Sequence, residues 1–364
     1  MKRTALAFLI FTVLFSAYSV NIRVLAESDN VLKCEGTDVK IMANDKVLNI
    51  KGPFAVSKSS AGLSVYYNER TRVFKSFKMT ASYIKINGNA YRGAFFLYNL
   101  EGKVCAVLHL DLEEYVKGVL PGEMPVDWPK EALKAQAVLA RTYGYFQILK
   151  HRKYYDLGSD NTYQIFTGNA AEYERVKQAV EETKDIVATY ENYPIEIFYS
   201  STCGGLTEDP VDLWGTGFPY LASVECGHCT QSPSYEWEYA IPMEELAGLI
   251  TLSGDGVDYF TDVGVIDRTA SGRIKNFEFY NEEMDTRYSI SGKKLREVLD
   301  PMNLKSLFIE SIDIDGFNII FRGRGFGHGV GMCQWGAKTL ADAGNSFKYI
   351  IDYYFRDISL SFLE

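Results

Sequence analysis

Between Lys33 and about Leu110, apolar and polar positions alternate over short stretches. Val47-Leu-Asn-Ile50, Leu63-Ser-Val-Tyr-Tyr67, Tyr83-Ile-Lys-Ile86 and Ala94-Phe-Phe-Leu-Tyr98 predict strands, with turns at Asn87-Gly88 and Glu101-Gly102. Asp111 to Val119 reads as a short helix. A longer one is expected from Asp127, with Pro129 in its first turn, to about Leu149. On that helix Ala137, Ala140 and Gly144 share a face with Leu133, which permits close packing, and Arg141 sits at its edge. Further helices are predicted over 171–183, 243–252, 292–299, 334–343 and 346–354, and a buried strand over Pro194–Ser200. Strands and helices interleave without internal repeats. The expectation is an α+β fold, a mixed catalytic core with β-rich additions forming one large bilobed domain.

One pattern is unlike the rest. From Gly323 to Gly331 glycine occupies every second position, with Arg324, Phe326, His328 and Val330 between. If this run is extended, one side is bare backbone against which a flat ligand such as a sugar ring can lie. A flexible glycine-rich loop is the plain alternative. It is no phosphate loop, because no Gly-Lys-Ser/Thr follows.

Composition narrows the classes. With 364 residues the chain can bury a sizeable core, and its net charge of −9 argues against nucleic acid as a partner. Met1-Lys-Arg3, an apolar run from Thr4 to Val20 and the ending Val24-Leu-Ala26 resemble a secretory signal cut after Ala26, or an uncleaved membrane anchor. The cut would remove Lys2, Arg3 and Arg23 and no acids, taking −9 to −12. The expected layout is a leader over 1–26, a β-rich part over 27–110 and a catalytic region over 111–364, with 232–318 as an insertion-like lobe. The protein is expected outside the cytoplasmic membrane.

Glu123 stands among Pro121, Met124, Pro125 and Trp128. Rigid apolar surroundings raise a carboxyl's pKa, as a general acid for a glycosidic oxygen requires. A solvated loop glutamate is the other reading.

Several motifs in this order resemble the stage II sporulation protein D family, which includes amidase-enhancer proteins. They are Leu112-Glu-Glu-Tyr115, Gly118-Val-Leu-Pro-Gly-Glu-Met-Pro125, Glu131 to Val138 with Ala140-Arg-Thr-Tyr143, Asn161-Thr-Tyr-Gln164, Ser201-Thr-Cys-Gly-Gly-Leu-Thr207, Pro219-Tyr-Leu221 and Gly323 to Ala337. The resemblance implies a lytic transglycosylase that cleaves peptidoglycan strands stripped of stem peptides, beside an amidase and membrane engulfment partners during sporulation. It places the catalytic acid at Glu123, although the family usually has serine where this chain has Gly122. One carboxylate suffices there, because the muramic 6-hydroxyl attacks its own anomeric carbon and hydrolytic pairs are not needed. Arg141 is implied either to meet a substrate oxygen or to hold the loop of Glu123. Gln164, Ser200, Ser201, Thr207, Gly325, His328, Gly329 and Gln334 are expected along the sugar cleft, His328 alternatively as a packed core histidine.

The metal candidate is Cys226-Gly-His228-Cys229 with Cys203. The Cys-x-x-Cys spacing suits a structural zinc, which catalysis would not require; a disulfide from Cys203 to Cys226 or Cys229 is the alternative. A non-catalytic glycan-binding enhancer of an amidase remains a second reading. A zinc amidase is disfavoured, since the four histidines form no His-Glu-x-x-His pair.

Overall fold

The computed structural model describes residues 20–44, 46–159, 163–166, 173–254, 256–257 and 259–363. Most of the expected leader, and Asn161 and Thr162 of the Asn-Thr-Tyr-Gln motif, lie outside the described residues.

The alternation builds one nine-stranded sheet. Its members are β1 (Asn21–Asp29), β2 (Val31–Ala43), β3 (Lys46–Ser59), β4 (Gly62–Tyr67), β5 (Arg70–Phe74), β6 (Phe77–Ile86), β7 (Asn89–Leu100), β8 (Lys103–Asp111) and β9 (Leu157–Gly158). They run in the order β5-β4-β3-β2-β6-β7-β8-β1-β9. Within β2, Leu32, Cys34 and Gly36 face in while Lys33 and Glu35 face out, as period 2 requires.

The start of β1 bears on the expected cleavage point after Ala26. Ile22, Val24 and Ala26 are buried between β8 and β9. Arg23 reaches Asp156 with Nη2 to Oδ1 at 2.6 Å, and its backbone N–H donates to Oδ2 at 2.8 Å. A cut after Ala26 would remove Asn21–Ala26 from the sheet. The apolar, alternating composition that suits a leader's end suits a buried strand equally. Among the described residues no helix is long and apolar enough to cross a membrane.

Two helices support the site. Asp111 caps α1 (Leu112–Glu123), accepting the Glu113 N–H, and Pro121 falls in its last turn. The helix therefore runs on to Glu123, past its expected end. Next comes α2 (Lys130–Leu149), starting at Lys130 after Pro129; Asp127 supplies no side-chain cap. Gly144 lets α2 meet α1 closely: a Cβ there would lie 3.0 Å from Leu112 and Tyr115. After α3 (Glu174–Glu182), β10 (Ile186–Tyr190) and β11 (Tyr193–Pro194), the chain enters β12 (Tyr199–Ser200) and the short α4 (Pro210–Trp214). The single strand expected over Pro194–Ser200 is thus two short pieces, and Glu196, Ile197 and Phe198 between them border the cleft.

A second lobe follows, with β13 (Glu236–Pro242), α5 (Met243–Leu252), β14 (Asp262–Arg268), β15 (Ile274–Asn281), β16 (Thr286–Ser291), α6 (Gly292–Val298), β17 (Ile309–Asp315) and β18 (Asn318–Arg324). It buries its own core around Leu246, Phe277, Phe279, Ile309 and Phe321, separate from the main core. The chain returns through β19 (Met332–Cys333), α7 (Gln334–Asp342), α8 (Phe347–Tyr354) and β20 (Ser359–Phe362), which pairs with β10.

Candidate active site and cysteine cluster

A cleft of about 590 Å³ opens beside the end of α1, and Glu123 lines it. Burial raises its carboxyl above the ordinary range. The Ile165 N–H, donating to Oε1 at 2.7 Å, and a hydrogen bond from Tyr199 pull the other way. Gly122 makes this approach possible, because a Cβ there would lie 2.7 Å from the Ile165 carbonyl oxygen. A serine would push away the segment that orients Glu123.

Polar side chains brace the acid. Tyr115 donates to Gln164 Oε1 at 2.7 Å, and Gln164 Nε2 donates to the Tyr199 hydroxyl at 3.0 Å. Burial, then the charge of Glu123, keeps Tyr199 protonated. Gln334 Nε2 donates to the backbone oxygen of Glu123 at 2.9 Å. His328 accepts the Val330 N–H on Nδ1 at 3.0 Å, and burial, with Arg296 and Arg273 next, lowers its pKa to about 4. It is a neutral imidazole at neutral pH.

The cleft lining includes six of the expected residues: Glu123, Gln164, Ser200, Ser201, His328 and Gln334. It does not include Arg141, Thr207, Gly325 or Gly329. Arg141 is fully buried and clamps Glu113, Nε to Oε1 and Nη2 to Oε2 at 2.7 Å each, while also capping carbonyls of Val180 and Ile186. It joins α1, α2 and the α3–β10 turn. Thr207 exchanges hydrogen bonds with Val224 instead.

The glycine strip is no bare platform. Gly325, Gly327, Gly329 and Gly331 have φ of +84°, +109°, +81° and +74°, outside the extended region. Added Cβ atoms would strike the Thr202 carbonyl, the Ser200 Cβ, the Arg273 guanidinium and the Phe198 carbonyl, all within 2.9 Å. The chain's own atoms fill the space reserved in the sequence reading for a sugar. The strip lets its loop pack against the 198–204 segment and carry His328 to the cleft.

Sequence reasoning missed Tyr143, Gln147, Tyr163, Glu196, Phe198 and Tyr199 in the lining. Tyr143 and Gln147 stand four apart on one face of α2, a spacing that could have flagged them. Glu196 brings a second carboxylate, with Lys150 Nζ 3.9 Å from it. Gln147 Oε1 and Ser200 Oγ are buried without a partner among the described residues.

Behind the cleft floor, Cys203, Cys226, Cys229 and Cys333 are buried with their sulfurs within 4.8 Å of one another. All six cysteines are free, and Cys203 and Cys229 lie 3.6 Å apart, so neither expected disulfide is formed. His228 is not in the group; its ring lies edge-on to Tyr353 at 5.6 Å. Cys333 takes the place expected for it. β19 aligns Cys333 beside Ser200 of β12, and its sulfur accepts the N–H groups of Cys203 at 3.3 Å and Gly336 at 3.4 Å. Burial, then its sulfur neighbours, pushes the Cys333 thiol up, while hydrogen bonds from Cys203, then Cys226 and Cys333, hold Cys229 well below the usual thiol range. Four sulfurs at this spacing fit a tetrahedral metal with Zn–S bonds of about 2.3 Å.

Comparison with known proteins decides the family. A stage II sporulation protein D of Bacillus amyloliquefaciens is 31% identical over 274 residues, covering 70% of this chain and 76% of that protein. The chain belongs to the stage II sporulation protein D family. The family model, described as stage II sporulation protein, matches residues 100–190, which carry Glu123, Arg141 and Gln164. A domain family of unknown function matches residues 222–331, the second lobe with its flanks. An uncharacterized protein of Brachyspira hyodysenteriae is 32% identical over 92% of this chain and 93% of its own length. An amidase enhancer of Bacillus subtilis is 27% identical over 81% of this chain, which spans 47% of that protein.

Proposed function

We propose that this family member acts on the bacterial cell wall outside the cytoplasmic membrane, in sporulation, as a lytic transglycosylase of denuded peptidoglycan strands. The observation that carries the reading is Glu123, a carboxyl raised by burial at the wall of a sugar-sized cleft. Protonated Glu123 gives its proton to the glycosidic oxygen as the C1–O bond breaks. The muramic 6-hydroxyl then bonds to C1, and its proton passes to Glu123, restoring the acid and leaving a 1,6-anhydro end. The attack is intramolecular, so positioning by the cleft supplies much of the rate. Tyr115, Gln164, Tyr199 and the Ile165 N–H fix the carboxyl, and neutral His328 can exchange hydrogen bonds with sugar hydroxyls.

A structural zinc ion belongs to the same reading. Cys203, Cys226, Cys229 and Cys333 would hold it, pinning the 226–229 turn and the start of α7 behind the cleft. It supplies cross-linking and takes no part in the sugar chemistry.

The amidase-enhancer relative supports a second reading, in which the cleft binds glycan for a partner amidase and membrane-bound engulfment proteins without cutting it. Mass spectrometry of denuded strands incubated with the protein and with Glu123→Gln separates the two. Anhydro ends from the unmodified protein alone support the transglycosylase. Reducing ends, heavier by one water, would mean hydrolysis, for which a second cleft carboxylate is present in Glu196. Intact strands that bind would favour the enhancer.

A further inference from the structure

Arg273, in the turn between β14 and β15, is 2% exposed. It leaves the second lobe to enter the polar interior behind the cleft. Nη2 donates to the Cys203 carbonyl at 2.7 Å, both Nη groups to the Leu206 carbonyl at 3.1 Å, and Nη1 to Ser271 Oγ at 2.8 Å. Among the described residues Nε has no partner, and no carboxylate forms an ion pair with this guanidinium. Glu208, 1% exposed, stands one hydroxyl away: Ser271 Oγ, 2.8 Å from Nη1, also donates to its Oε2 at 2.9 Å, and Thr269 donates there at 2.7 Å. Gly329 has no room for a side chain because this guanidinium occupies the space, 2.2 Å from an added Cβ.

A buried cation opposed only through a hydroxyl is costly. Cys203, whose carbonyl accepts from Nη2, is one of the four residues of the sulfur cluster. A divalent ion with four thiolates carries a net charge of −2, and Arg273 is a buried cation hydrogen-bonded to one of its ligand residues.

We propose that Arg273 is the counter-charge of the metal-loaded centre formed by Cys203, Cys226, Cys229 and Cys333, so that the second lobe sets the affinity of a metal held in the first. The proposal rests on the zinc reading above and goes beyond it in assigning charge balance to a residue outside the ligand set. It also gives the lobe a role that its own sheets do not explain.

Charge balance makes opposite predictions for two neighbours in one hydrogen-bonded node. Arg273→Met removes the cation while keeping much of its volume, and zinc affinity falls about tenfold or more. Glu208→Gln removes the opposing anion yet still accepts from Thr269 and Ser271, and zinc affinity rises. A merely structural node would lower affinity in both. The measurement is competition for zinc between the reduced full-length protein and a chromogenic chelator, with melting curves of zinc-free and zinc-loaded forms. Arg273→Met should narrow the gap between those two melting temperatures, whereas a structural role would lower both equally. If Arg273→Met does not fold, Arg273→Lys retaining zinc beside a tighter Glu208→Gln gives the same support. Unmodified protein that takes up no zinc overturns both the zinc reading and this proposal. Zinc binding unchanged in Arg273→Met, or weakened in Glu208→Gln, overturns the counter-charge alone.

Discussion

The side-chain amide of Gln334 donates to the backbone oxygen of Glu123 at 2.9 Å, tying the first residue of α7 to the last of α1 across 211 positions. The acid is therefore held at both ends, its carboxyl by Ile165 and its backbone by Gln334. Gln334→Leu would leave the Glu123 carbonyl without this donor, at a cost of about 1–3 kcal/mol. Displacing the acid by a fraction of an ångström costs rate more than binding. The expected result on glycan strands is kcat lower by about 10- to 100-fold with KM little changed. A raised KM at constant kcat would instead assign Gln334 to ground-state sugar contact.

Glu123 also dictates a pH dependence. Its folded pKa lies above the ordinary carboxyl value because of burial. Cleavage needs the protonated form, so activity falls as pH rises through the folded pKa. Between the unfolded and folded values the unfolded chain holds fewer protons, so stability contributed by this group also declines as pH rises there. Glu123→Gln, which cannot ionise, should flatten that part of a plot of urea midpoint against pH. An unchanged slope would show that the carboxyl is not perturbed.

His328 carries the opposite sign. Burial lowers it to about 4 from an ordinary 6.5. Between these values the unfolded state binds the extra proton, so its contribution is complete above the unfolded pKa and is lost as pH falls toward 4. His328→Asn should lose less stability than the unmodified protein between pH 6.5 and 4. Equal losses would mean that the imidazole is solvated.

Local features were legible and long-range ones were not. α5 appears over Met243–Leu252 as its apolar spacing predicts, and the proline-flanked Glu123 does sit in a cleft with a raised pKa. Three readings turned on information the sequence holds only in three dimensions. Asn21–Ala26 looks like a leader's end because a buried strand uses the same residues. The glycine alternation suggested a strand, but positive φ from Gly325 onward is invisible in spacing. Cys333 lies far along the chain from the Cys-x-x-Cys turn and meets it only because β12 and β19 run side by side.

Arg141 tests whether a motif residue acts on substrate or on the fold. Arg141→Met strands Glu113, 14% exposed, without its partner, and breaking such a buried pair costs about 3–5 kcal/mol. A large drop in melting temperature is expected, with KM unchanged in whatever protein remains folded. A normal melting curve with raised KM would return Arg141 to the cleft.

The last prediction separates Cys333 from His228. His228 lies in the Cys-x-x-Cys turn and Cys333 meets it from β19, but of the two only Cys333 joins the group, its sulfur accepting two backbone N–H groups. His228 stacks at the edge of Tyr353, outside it. Under reducing conditions His228→Ala should keep the zinc content of the unmodified protein. Cys333→Ser, with a weaker ligand that also caps α7, should lose zinc to a chelator far more readily and melt at lower temperature. The reverse pattern would mean that the turn rearranges on binding, replacing four sulfurs by three sulfurs and an imidazole.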